Sequence, residues 1–219
     1  MPLMLVQAVD TRLCQQLSAH YLSGQEQRCL STLRHSARVS DYVTSRLASK
    51  LLLFRWFQHD CIAATDLELY GSPSCPPKLY LCKRDLSKLY VSVSHSRGLV
   101  LVGITEQSAF GLDIEHVSGH DWPAIFAYMR WPMPTPIHRV SMEGLCCCVW
   151  TIYEAGFKLF GGLVAQADFR LLSITFPADQ PLMNRGIFSF KGAFADLRFA
   201  GEGIVEDAWT ISVAMQPLS

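Results

Sequence analysis

The sequence predicts an α+β protein of two similar halves, and three observations carry that expectation. Short segments that alternate apolar and polar residues, as half-buried strands do, recur along the chain. Two longer segments, one early and one late, place apolar residues at helical spacing. The order strand, helix, strands is then met twice, though letter-by-letter repetition between the halves is weak. The expected division is 1–105 and 106–219, two halves in a pseudo-twofold arrangement.

The elements follow in chain order. Residues 3–9 form a candidate strand. "SARVSDYVTSRLASKLLLFRWF", residues 36–57, carries Val39, Val43, Leu47 and Leu51 at helical spacing and predicts an amphipathic helix. "YGSPSCPPKLYL" holds three prolines and a glycine and is expected to break the chain. "VSVSHSRGLVLVGI", Val91 to Ile104, predicts two antiparallel strands joined by a tight turn at Gly98. "AFGLDIEHV" is a third strand, and Pro123 to Pro136 is proline-rich and expected to be irregular. A helix from about Met142 to Phe160 should end at Gly161 and Gly162. "RLLSITF", "GIFSFKGAF" and "AWTISVAM" close the chain as candidate strands.

Composition narrows the classes of function. Half of the 219 residues are hydrophobic and only 17% are charged, which favours a packed globule over disorder. Lys plus Arg and Asp plus Glu both number 19, so general attraction to nucleic acid or to an anionic membrane is not expected. Three of the eight cysteines, Cys146, Cys147 and Cys148, are consecutive, and no C-x-x-C pair suggests zinc. Reduced thiols in a cytoplasmic protein are expected. No basic segment followed by a long apolar one opens the sequence, and no apolar run reaches the roughly 18–20 residues of a membrane span.

The chemistry concentrates in three stretches. In "GLDIE", Asp113 and Glu115 are two residues apart, so on a strand both carboxylates project from one face while Leu112 and Ile114 enter a core. In "WTIYEAGFKLFGG", Trp150, Glu154 and Lys158 recur every fourth residue and share one helical stripe. Three carboxylates from two elements make a hard oxygen site suited to Mg²⁺, and a nearby lysine and histidine suit phosphate. That combination fits a pyrophosphate substrate. No Walker-type phosphate loop is present, and no G-x-S-x-G elbow frames Ser94 or Ser96 for a hydrolase triad with His95.

"VSVSHS", "FGLDIE" and, about 35 residues further on, "WTIYEAGFK" together resemble the ordered motifs of 4′-phosphopantetheinyl transferases. The likeness is to the long single-chain, surfactin-synthetase-activating type, whose members have two similar halves with the active site between them. It implies a monomer that moves 4′-phosphopantetheine from coenzyme A to a serine of an apo acyl or peptidyl carrier protein and releases 3′,5′-ADP. It also implies that Asp113, Glu115 and Glu154 hold magnesium, and that Lys158, Ser94 and His95 meet the phosphates. Arg38 and Arg46 are candidates for the 3′-phosphate. Lys78 stands in a shifted frame where the family often has Gly-Lys-Pro or Gly-Arg-Pro.

On this reading Glu154 is the favoured base for the carrier serine, with Glu115 the alternative, and Lys158 and His95 stabilise the leaving group. The family's lysine before the helix glutamate is replaced by Tyr153. A neighbour on a helix is rotated by about 100°, so its ring can pack beside the cofactor or against a strand, and Tyr153→Lys is expected to change the rate less than about tenfold. Two rivals remain at this level. One is a coenzyme A-binding regulatory module that no longer transfers, which Tyr153 favours. The other is a magnesium-dependent pyrophosphate hydrolase.

Overall fold

Alternating segments form strands and periodic segments form helices in a computed structural model that describes residues 3–8, 11–57, 63–72, 75–82, 84–137, 140–177, 185–206 and 208–217. The fold is mixed α+β, and the chain divides into two units, Met1–Ser108 and Ala109–Ser219. Each unit packs a long helix on antiparallel sheet around its own apolar core.

The first unit runs β1 (Leu3–Ala8), α1 (Thr11–Tyr21), α2 (Gly24–Thr32), α3 (Ser36–Trp56), β2 (Leu67–Ser72), β3 (Cys75–Leu81), β4 (Arg84–Asp85), β5 (Tyr90–Ser96) and β6 (Leu99–Thr105). It holds two three-stranded sheets, ordered β1-β6-β5 and β2-β3-β4. "CPPKLYL" is thus a strand and not a break. Its register on β2 shifts between Tyr70↔Lys78 and Ser72↔Cys75, so Pro76 and Pro77 fall at a bulge. Missing N–H groups cost least there, because the ladder is already interrupted.

Helix α3 is rotated from the expected stripe: Val43 is buried, but Leu51 is exposed and Ala48, Leu52 and Leu53 face the core. Lys50 explains the rotation. Its ammonium is buried 2.7 Å from Glu26 Oε2 and donates to the carbonyls of Ala64 and Leu67. Glu26 in turn accepts from Ser23 N at 2.9 Å and Leu69 N at 3.1 Å. A buried ion pair is tolerated when its remaining donors and lone pairs are satisfied in this way. Burial still lowers the Lys50 pKa, with Glu26 opposing.

The second unit comprises β7 (Phe110–His116), α4 (Trp122–Met129), α5 (Met142–Leu159), β8 (Phe169–Thr175), β9 (Arg185–Phe194), β10 (Leu197–Glu206) and β11 (Trp209–Met215). Its five strands are ordered β7-β11-β10-β9-β8, every neighbour antiparallel. The expected irregular stretch opens instead with α4. Trp122, Phe126 and Met129, at i, i+4 and i+7, bury one face, Asp121 caps the first turn through Ala124 N at 3.1 Å, and Pro123 sits where a missing N–H is harmless. Among the described residues, no helix is long and apolar enough to cross a membrane.

Helix α5 begins at a built cap: Ser141 Oγ accepts from Gly144 N at 3.0 Å. Ser141→Ala is expected to lower stability by about 1 kcal/mol, read as an earlier urea midpoint at unchanged slope.

Candidate functional site

A glycine sets how closely α5 approaches β7. A Cβ added to Gly111 would lie 1.9 Å from the Ala155 carbonyl oxygen and 2.6 Å from the Leu159 nitrogen. No side chain fits that gap, so helix backbone rests on strand backbone. Strand alternation then turns Gly111, Asp113 and Glu115 toward the helix, while Leu112 and Ile114 are buried on the other face. The i, i+2 reading of the carboxylates therefore acquires a partner surface.

On that surface Lys158 Nζ donates to Asp113 Oδ1 at 2.6 Å and to the Leu112 carbonyl at 3.3 Å. Asp113 is only 4% exposed, whereas the Lys158 side chain retains 27%. The exposure of α5 follows the expected stripe. Trp150, Glu154 and Lys158 are partly exposed, while Thr151, Ile152 and Tyr153, then Ala155 and Gly156, are buried between them.

Glu154 departs from ordinary carboxylate acidity. Burial raises its pKa from 4.5 to about 7; Lys158 opposes the rise, and Asp113 and Glu115 add to it. A carboxylate this displaced, beside two others, is a frequent mark of a functional site. Glu115 is held differently: its Oε1 accepts from His116 N at 2.8 Å and lies 3.4 Å from His120 Nε2. Its backbone carbonyl accepts from the Cys147 thiol at 3.7 Å. Among the described residues, no group of three or more His, Cys, Asp or Glu side chains is drawn close enough to hold a metal as arranged. Instead Asp113 is engaged by Lys158, and Glu115 by the His116 N–H and the neighbouring His120.

The site candidates of the first unit fall into separate environments. Ser94 and His95 lie within β5, paired with Leu101 and Val100, and not at its corner. The turn is Arg97 and Gly98, both with positive φ, the geometry that a two-residue hairpin requires. Ser94 is buried and His95 exposed on the opposite face, so the two side chains do not converge on one point. His95 Nδ1 is 3.8 Å from Asp41 on α3, and exposed Arg38, three residues before Asp41, shares that helix face. Arg46 turns inward, with its guanidinium over the Tyr42 ring at 4.3 Å and its Nε 3.9 Å from Glu26. It is committed to the buried Glu26 and Lys50 cluster rather than presented to a ligand. Lys78 is exposed on β3.

Tyr153 is a core residue, 4% exposed, with ring centroids of Trp131, Phe169 and Phe194 at 4.9, 5.4 and 5.8 Å. Burial raises its hydroxyl pKa to about 12. That aromatic packing makes lysine a costly substitution for stability, a separate matter from the small change in rate expected of it. Cys147 and Cys148 are buried residues of α5, and burial raises the Cys147 pKa to about 12 and that of Cys148 well above its usual value, so neither offers a thiolate.

Sequence reasoning passed over His120, which lies outside every matched motif. Its signal was modest: an imidazole in the loop that follows the two carboxylates. Compared with known proteins, the chain matches no protein-family model and no curated protein at a significant level.

Proposed function

We propose that this protein is a 4′-phosphopantetheinyl transferase, moving phosphopantetheine from coenzyme A to a serine of an apo acyl or peptidyl carrier protein. One observation carries the reading: helix α5, which bears Glu154 and Lys158, packs on β7, which bears Asp113 and Glu115, and Lys158 Nζ donates to Asp113 Oδ1 at 2.6 Å. The finer fold reading, two similar pseudo-twofold halves of that family, belongs to the same proposal and rests on the long helix and antiparallel sheet in each unit.

The donor set suits magnesium. All three side chains offer hard oxygens, and the mutual repulsion that helps to raise Glu154 is relieved by a divalent cation. Asp113, Glu115 and Glu154 would hold the ion, which when bound neutralises pyrophosphate charge. The remaining chemistry belongs to the chain. The carrier serine Oγ bonds to the phosphorus that bears pantetheine, and the pyrophosphate P–O bond breaks. The departing 3′,5′-ADP keeps that electron pair. Glu154 takes the serine proton. Lys158 exchanges part of its contact with Asp113 for the leaving phosphate, where its charge counts most as the bond breaks. Within the first unit, exposed His95 and Arg38 are the phosphate contacts that the resemblance implies; Ser94, buried on the opposite face of β5, is not proposed with them. Tyr153 packs in the core, and transfer to an apo carrier separates an active enzyme from a coenzyme A-binding module that no longer transfers. The test is intact-mass analysis of an apo carrier incubated with coenzyme A, Mg²⁺ and the protein.

A further inference from the structure

We infer that His120 is a positioning residue that fixes the Glu115 carboxylate for a divalent cation; the inference rests on the transferase reading of that site. His120 lies between β7 and α4, one residue before the α4 cap Asp121. Its Nε2 is 3.4 Å from Glu115 Oε1 and shielded from solvent, and no hydrogen bond to it is aligned. A buried ring nitrogen without an aligned partner, beside a carboxylate, is costly unless the site makes use of it.

The ring is not loose. It lies against Trp122, centroids 4.7 Å apart, and Trp122 is itself buried with its Nε1 donating to the Val117 carbonyl at 3.1 Å. Helix α4 thus anchors the imidazole, and the imidazole reaches back to the strand carboxylate. From the other side His116 N donates to the same Oε1 at 2.8 Å. One aligned donor, the His116 N–H, and one adjacent ring nitrogen, His120 Nε2, therefore face the same carboxylate oxygen. Supports of this kind around ligating side chains govern metal affinity without touching the ion. His116 does not share the role through its own ring, whose Nδ1 accepts from Ser118 N at 3.2 Å and which packs on Trp209.

The experiment is calorimetric titration of Mg²⁺ alone into wild type, His120→Ala and His120→Gln, with thermal unfolding of each metal-free protein. His120→Ala is expected to weaken Mg²⁺ binding by about 10-fold or more while its metal-free midpoint stays close to that of wild type. His120→Gln, which keeps an uncharged side-chain donor, should recover most of the affinity. If His120→Ala binds Mg²⁺ as wild type does, or the glutamine variant recovers nothing, His120 has no positioning role. A wild type that binds no Mg²⁺ overturns the site reading itself, and this inference with it.

Discussion

Glu154→Gln is expected to lose transfer by about 10²–10⁴-fold, the span associated with removing a positioned base, while producing a more stable metal-free protein. The two effects have one cause. Folding buries the Glu154 carboxyl beside two other acids and raises its pKa from 4.5 to about 7. The folded state therefore holds that proton more tightly than the unfolded chain. Its contribution to stability is full below about pH 4.5 and is lost as pH rises through about 7. Glutamine carries no charge to desolvate. Above pH 7 the variant should exceed wild type by about 1–3 kcal/mol, and the gap should close toward pH 4. Urea unfolding at both pH values, with chelator present, reads the difference. Equal stability at pH 8.5 would mean that Glu154 is not held in the desolvated setting described. Added Mg²⁺ should stabilise wild type and leave the variant nearly unmoved.

Tyr153→Lys is expected to cost about 3–5 kcal/mol, the scale of deleting a large aromatic from a core, before any charge is counted. The tyrosine ring is enclosed by Trp131, Trp150, Phe157, Phe169 and Phe194. A lysine there must bury its ammonium or withdraw and leave a cavity. Tyr153→Phe should stay within about 1 kcal/mol, since the ring provides most of the packing. Denaturant titration of the pair decides the matter: a lysine variant as stable as wild type would place the side chain outside the core.

Which of the candidate side chains share a face was legible, because periodicity alone determines it. Two residues along a strand bring Asp113 and Glu115 together, and four along a helix bring Trp150, Glu154 and Lys158 together. What periodicity cannot supply is how closely two elements approach. That depends on Gly111, a residue with no chemistry of its own, under the Ala155 carbonyl. The same rule misled where proline was weighed above spacing: "WPAIFAYM" has its apolar residues at i, i+4 and i+7, and its proline occupies the first turn. In "CPPKLYL" the prolines fall at a bulge, which no local pattern announces. Arg46, a phosphate candidate in the sequence, turns instead toward Glu26, which helical spacing could not announce because that partner lies on another helix. Strand alternation, applied strictly, already separates Ser94 from His95.

The most direct measurement is the mass of an intact apo carrier protein after incubation with coenzyme A, Mg²⁺ and this protein, run across acyl and peptidyl carriers. A gain of one phosphopantetheine group on the carrier serine, with matching release of 3′,5′-ADP and no release when the carrier is omitted, is the predicted result. Every carrier unmodified, or coenzyme A cleaved without any carrier, would contradict it.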